Sequence, residues 1–246
     1  MEQRLLQGLI TYIAPMSISR LLLAATALFA FTGCITIEEN YTFKKDGSGT
    51  MTYVVDLTEL GDMLKTMGDM GVGKDEKDGE MGAMDLGGGK GALEKIGGIT
   101  KVKLDTKKKW IQKLSFRFED VNALNLALNV LMPDSSGLAQ DFFRWDNGTL
   151  IRTTNRHAFE MGAGMAGAGG EEENGEEGEG GFDMATMLGS MKYKYSFKFK
   201  QAISEVSSAD GVEKVNMGSK AVNLSTDWSV ISKDPKALDL RIVLDR

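Results

Sequence analysis

The sequence has very little cysteine and histidine, and this limits the chemistry that the chain can perform. Cys34 is the only cysteine, so no disulfide can form within the chain. His157 is the only histidine, so metal sites and general-base designs that need several imidazoles lack partners. We interpret His157 itself as a polar residue at the end of a strand. No nucleophile, base or metal set converges, and we expect neither an enzyme nor a bound cofactor.

An excess of positive charge is also missing. The chain carries 29 basic and 35 acidic residues, a formal net charge of −6. Proteins that bind nucleic acids usually show a basic excess, so no nucleic-acid partner is expected.

The N-terminal segment has the three parts of a secretory signal. Arg20 provides the positive region, residues 21–31 are apolar, and small residues precede Cys34. We therefore predict that residues 1–33 are a signal peptide, with Met16 as an alternative start. Residues 34–246 are then a single exported α+β domain.

The run "FTGC" that ends at Cys34 resembles a bacterial lipobox. This resemblance implies cleavage before Cys34 and attachment of acyl chains such as palmitate, which hold a protein firmly on a membrane. The expected location is the cell envelope, most naturally the outer membrane, with the domain outside the cytoplasm. An uncleaved anchor is the alternative, because residues 21–37 carry no charge and reach the lower length limit for crossing a bilayer.

Two segments combine glycine with charge, at about 68–91 and about 161–181. Such segments bury too little apolar surface to offset the entropy of ordering them. We predict two flexible insertions within the domain.

The remaining sequence alternates strand, turn, strand and helix. The strands "ITIEENYTF" and "TMTYVVDL" flank a turn around "KKDGSG". Thr58 is predicted to cap one amphipathic helix, and Asp120 a second helix that Pro133 ends. We expect an α+β fold: a largely antiparallel sheet built from hairpins, with amphipathic helices packed on one face.

The stretch "MKYKYSFKFK" (191–200) alternates aromatic and basic residues strictly. Because side chains alternate between the two faces of a strand, the aromatic residues should face the helices in the core. The lysines should line a solvated face of the sheet. The aromatic set is Tyr193, Tyr195, Phe197 and Phe199, and the basic set is Lys192, Lys194, Lys198 and Lys200.

Methionine is unusually frequent, with 15 residues. Thioethers can bind Cu(I), and four methionines lie outside any helical pattern: Met81, Met84, Met161 and Met165. They are weak candidates for a metal site. Others have helical spacing and favour an apolar helix face, where methionine fills gaps.

A family resemblance becomes visible in "YTFKKDGSGTMTYVVDLTELGDML", "VEKVNMGSKAVNLSTDW" and "ALDLRIVL". These segments resemble the LppM-type lipoprotein domain and related uncharacterised envelope lipoproteins of bacteria. The resemblance implies an α+β domain outside a membrane, with no assigned catalysis.

Three functions remain open. The first is a non-catalytic structural or adaptor domain that engages an envelope protein or lipid. The second is a lipid or apolar-ligand binder with a pocket between helices and sheet. This pocket would be lined by Met63, Met67, Met184, Met187, Tyr195 and Phe197. The third is a Cu(I)-binding protein that uses the methionines outside the helical pattern.

Overall fold

The computed structural model describes residues 35–69, 86–133, 137–153, 157–158, 160 and 189–245. All of them belong to one unit that spans Gly33–Arg246. The fold is sheet-rich α+β with mostly antiparallel strands, as expected from the alternating patterns.

The described residues form eleven strands and four helices. The strands are β1 (Thr36–Phe43), β2 (Gly49–Asp56), β3 (Ile99–Lys108), β4 (Ile111–Phe118), β5 (Phe143–Asp146), β6 (Thr149–Arg152), β7 (Lys192–Phe199), β8 (Ile203–Ser208), β9 (Glu213–Asn216), β10 (Ala221–Asp227) and β11 (Leu240–Leu244). The helices are α1 (Thr58–Asp69), α2 (Gly87–Leu93), α3 (Val121–Leu131) and α4 (Trp228–Ile231).

The strands form two sheets rather than the one that the sequence suggested. The larger sheet has the order β3-β4-β2-β1-β7-β10-β9, and the smaller has the order β5-β6-β11-β8. Within the larger sheet, β1 and β7 are parallel, while the other pairs are antiparallel. A parallel pair needs a crossover connection, and here the whole chain between residues 43 and 192 separates the two strands. Local hairpin patterns cannot reveal such a pairing.

Strand β7 has the two faces that its alternation predicts. Tyr193, Tyr195, Phe197 and Phe199 are each 3% exposed or less, while Lys194 and Lys198 are exposed. The expected helical cover is wrong at this point, because the aromatic side chains pack against the smaller sheet. Phe197 meets the ring of Phe143 at 6.1 Å between centroids, and Phe199 meets Trp145 at 6.4 Å. Alternation defines which face is buried, but it does not say which element covers that face.

Helix boundaries follow local chemistry. Asp120 caps α3, as predicted, with its carboxylate accepting a hydrogen bond from the Ala123 amide at 2.8 Å. The helix ends at Leu131, two residues before Pro133. Thr58 is the first residue of α1, and its amide and hydroxyl both donate to Asp56.

Helix α2 lies at the end of the segment 68–91 that was expected to be a flexible insertion. Leu86 and Leu93 are buried at the two ends of this glycine-rich helix. The Leu86 amide also donates to the Gln112 side chain at 2.9 Å. Two leucines therefore anchor a segment whose composition alone favours a loop. Residues 70–85 and the second predicted insertion, 161–181, lie outside the described residues.

Candidate functional site

A carboxylate occupies the centre of the buried face of the larger sheet. In β1 the inward-facing positions are Ile37, Glu39, Tyr41 and Phe43, and Glu39 is fully buried among them. Glutamate is almost never fully buried unless it is paired. The sequence pattern held a signal for this, because Glu39 has the same parity as the apolar residues of β1. Glu39 was nevertheless not among the predicted site residues.

Arg152, the last residue of β6 in the smaller sheet, neutralises Glu39. Its two terminal nitrogens donate to the two carboxylate oxygens at 2.6 and 3.0 Å. The guanidinium is 1% exposed and lies between the rings of Phe143 and Tyr195, at 5.5 and 5.3 Å from their centroids. A planar guanidinium can both fork onto a carboxylate and stack on aromatic rings. The ion pair therefore joins the two sheets at the middle of the core.

Two tyrosines complete the coordination of the carboxylate. The hydroxyl of Tyr41 donates to Glu39 Oε2 at 2.7 Å, and that of Tyr193 donates to Oε1. A carboxylate offers about four lone-pair sites, so the two tyrosines and Arg152 saturate Glu39. No lone pair remains for abstracting a proton from a substrate.

The charges of this cluster are fixed. Burial by itself raises the pKa of Glu39, but the positive charge of Arg152 and its hydrogen bonds hold that pKa well below its usual range. Burial and the neighbouring Glu39 charge raise the pKa values of Tyr41 and Tyr193 well above normal. Glu39 is thus an anion and both tyrosines are neutral across the physiological range.

His157 extends the cluster, which corrects its interpretation as a polar residue at a strand end. The side chain is 6% exposed, and Nε2 lies 3.0 Å from the Tyr193 hydroxyl. Because that hydroxyl donates to Glu39, Nε2 must carry the proton that it shares with Tyr193. Within the described part of the chain, Nδ1 then has no hydrogen-bond partner. Burial lowers the pKa of His157, so the imidazole is neutral at pH 7.

The cluster is therefore a buried polar core that joins the two sheets. Its members are buried, and Arg152 and the two tyrosines fill the acceptor sites of Glu39. Among the described residues, no three His, Cys, Asp or Glu side chains are placed to hold a metal ion.

A cavity of about 550 Å³ lies between the N-terminus of α3, the β1–β2 turn and β5. Two of its acids already serve the fold: Asp120 caps α3, and Asp46 accepts hydrogen bonds from the amide and hydroxyl of Ser48. Its wall also includes Asn125. The side-chain amide of Asn125 donates to the Phe143 carbonyl and accepts from the Phe143 amide, at 2.9 Å each. These polar groups order the turn and the helix end.

A second cleft, of about 260 Å³, lies on the opposite, solvent-facing side of the larger sheet. Its lining is mostly uncharged and polar, with Asn40, Ser196, Asn223 and Ser225 on three neighbouring strands. The charged pair Lys194 and Glu38 closes one side, with 3.6 Å between ammonium and carboxylate. This cleft is an accessible polar surface, in contrast to the buried cluster on the other face.

Only some of the predicted ligand-contact residues fall in the described part of the chain. Tyr195 and Phe197 are packed in the core, and Met63 is half-buried against it. The remaining predicted positions lie outside the described residues or, for Met67, have a side chain outside them: Cys34, Met67, Met81, Met84, Met161, Met165, Met184 and Met187.

Comparison with known proteins gives a weak structural similarity. No protein-family model matches the chain, and no curated protein matches it. The folded domain of LppM from Mycobacterium tuberculosis, solved by NMR, has a TM-score of 0.39 and 8% identity, covering 86% of this chain and 90% of that chain. A likeness this distant does not establish a shared function. Across the described residues, no helix has the length and apolar character needed to cross a membrane.

Proposed function

We propose that the chain is a bacterial envelope lipoprotein, anchored to a membrane through Cys34, whose domain is a non-catalytic adaptor or binding module. One observation carries the non-catalytic part of the proposal. The titratable groups around Glu39 are buried, and the acceptor sites of its carboxylate are filled by Arg152, Tyr41 and Tyr193. Catalytic groups must reach a substrate, whereas these groups join two sheets.

The position of Cys34 supports attachment close to the domain. Cys34 precedes Ile35, which is buried, and β1 begins at Thr36. Acyl chains on Cys34 would hold the start of a central strand beside the membrane. The domain would then lie in the envelope with its outer surfaces available to a partner.

The packing of the aromatic face favours an adaptor over an apolar-ligand binder. Tyr195 and Phe197 would line a ligand pocket only if the two sheets separated, because their rings contact each other and Phe197 packs on Phe143. Separation would also break the bidentate pair between Glu39 and Arg152. A buried charge without its partner costs several kcal/mol, on the order of 3–5.

Metabolic labelling with a fatty-acid probe tests the anchor. The wild-type full-length chain should take up the label, and Cys34→Ser should take up none and keep its signal segment uncleaved. Glu38→Gln, a surface change in the domain, should label like the wild type. A wild-type chain that takes up no label would overturn the lipid anchor.

A further inference from the structure

The outer face of the larger sheet, the side that points away from the smaller sheet, carries a row of uncharged polar side chains. Strand register sets Asn40 beside Ser196 and Thr52, and Ser196 beside Asn223. The Ser196 hydroxyl donates to the Asn40 side chain at 2.6 Å. Neighbouring strands are about 4.8 Å apart, so this polar row offers donors and acceptors at regular intervals across four strands. The cleft of about 260 Å³ opens over it.

One edge of the same sheet collects cations. Strands β1 and β7 are parallel, so their carboxyl ends meet at one edge. Strand β4 runs in the same direction as β1, since both are antiparallel to β2, and it brings Arg117 to this edge. Strand β10 is antiparallel to β7 and begins there, next to Lys220. We call this set the basic rim: Lys44, Lys45, Arg117, Lys198, Lys200 and Lys220. All six are exposed, and within the described part of the chain none forms an ion pair.

The charge of the basic rim is balanced only in part. Hydrogen bonds from Ser48 and the nearby charge of Lys44 lower the pKa of Asp46, so this acid lies beside the rim. Asp245 also lies near Lys200, because its amide donates to the Ala202 carbonyl. Next to the polar row, Lys194 pairs with Glu38. An excess of cations beside a neutral hydrogen-bonding row is complementary to a polymer with both acidic groups and hydroxyls.

The basic rim lies at the end of β1 opposite to Cys34. Strand β1 has eight residues from Thr36 to Phe43, and its two ends are about 23 Å apart at about 3.3 Å per residue step. In the anchored protein the basic rim is therefore remote from the attachment point. This placement favours a partner in the envelope over the headgroups next to the anchor.

We propose that the basic rim and the polar row together bind an acidic polysaccharide. The lysines and Arg117 pair with its carboxylate or phosphate groups, and the asparagine and serine side chains hydrogen-bond to sugar hydroxyls in the cleft. This proposal names the partner of the binding module and rests on the binding function proposed above. The basic rim and the polar row do not depend on acylation of Cys34.

Polygalacturonate is the probe, with the full-length protein in detergent micelles and dextran as the neutral polymer. The protein should bind polygalacturonate, and its affinity should fall steeply with salt because ion pairs are screened. It should not bind dextran. Arg117→Glu/Lys198→Glu should weaken binding at least tenfold. Ser196→Val should weaken it several-fold while leaving the salt dependence unchanged, since no charge is removed.

The matched control is Lys233→Glu/Lys236→Glu, which makes the same charge change at exposed positions beyond α4. This control should bind polygalacturonate like the wild type. Equal losses in both charge-reversal variants, equal binding of dextran, or no binding of polygalacturonate would each overturn the proposal. Binding to phosphatidylglycerol vesicles without binding to polygalacturonate would overturn it in favour of a lipid surface. Fatty-acid labelling reports on the anchor independently of all these results.

Discussion

Glu38 and Glu39 are neighbours in β1, yet they lie in opposite environments. Glu38 points to the outer face and meets Lys194 at 3.6 Å, with both side chains more than a third exposed. Glu39 points inward, is fully buried, and meets Arg152 at 2.6 and 3.0 Å. Two consecutive residues therefore form a solvated ion pair and a buried ion pair that joins the two sheets.

The difference shows that burial, rather than charge, sets the importance of an ion pair here. Exposed pairs contribute about 0–1 kcal/mol because water and salt screen them. A buried ion pair contributes little more to stability than an apolar pair of similar shape. Removal of one member, however, leaves the other charge buried without a partner, which is strongly destabilising. Separation of the two sheets would therefore be strongly unfavourable because it would break the inner pair, whereas the outer pair does not constrain the positions of the sheets.

Arg152→Met should produce the largest loss of stability. It removes the cation and leaves Glu39 charged in the core, which should lower the free energy of unfolding by about 3–5 kcal/mol. Chemical denaturation followed by circular dichroism measures this change. The matched control is Lys194→Met, which removes the cation of the outer pair and should change stability by no more than about 0.5–1 kcal/mol.

A double variant sharpens the comparison. Glu39→Gln/Arg152→Met has no buried charge and keeps an oxygen that can accept hydrogen bonds from Tyr41 and Tyr193. It should be more stable than Arg152→Met alone, because the buried anion is gone. If Arg152→Met cost no more than Lys194→Met, the inner pair would not hold the sheets together.

The aromatic face gives the next test, again with adjacent residues. Phe197 is 1% exposed and Lys198 is exposed. Phe197→Ala should cost about 3–5 kcal/mol by leaving a cavity beside Tyr41 and Phe143, while Lys198→Ala should stay within about 0.5 kcal/mol. Thermal and urea unfolding distinguish the two. A neutral Phe197→Ala would mean that the aromatic row is an exposed contact surface.

The smallest expected effect is a pH dependence that His157 introduces. Its pKa in the folded protein lies below the ordinary value of 6.5, so the unfolded chain takes up a proton first as the pH falls. Stability should therefore decrease from about pH 7 toward pH 5.5, below the ordinary pKa of His157. Glu39 does not interfere, because its contribution is retained above its ordinary value of 4.5.

The variant His157→Gln should remove this dependence, since glutamine does not titrate and its amide can still donate to Tyr193. The free energy of unfolding at pH 7.5, 6.5 and 5.5 provides the measurement. Because the chain has one histidine, few other groups change charge in this interval. An equal decline in the wild type and the variant would assign the pH dependence to another group.

Local chemistry made several features predictable. The strict alternation of 191–200 identified which side chains of β7 are buried, because consecutive residues of a strand must point to opposite faces. Asp120 was identifiable as a helix cap because its carboxylate can satisfy a free amide in the first turn. The glycine-rich α2 was not, because Leu86 and Leu93 become anchors only when a core is present to receive them.

The buried cluster could not be derived from the sequence for a similar reason. Glu39 and Arg152 are 113 positions apart, and neither residue carries a local sign that the other will be its partner. The alternation predicted that the lysines of β7 are exposed to solvent. Their proximity to Lys44, Arg117 and Lys220 in the basic rim depends on the parallel pairing of β1 with β7 and on the strand order.

The sequence by itself determined the period-two burial of the strands, the α3 cap, the sheet-rich α+β class and the exclusion of sites with several histidines and of a disulfide within the chain. These features depend on backbone geometry within a few residues, or on counting side chains. The tertiary structure decided that a second sheet covers the aromatic face, that Arg152 neutralises Glu39, and that the cations meet at one edge. Each of these depends on which distant strands become neighbours, and that choice is made by the packing of the whole core.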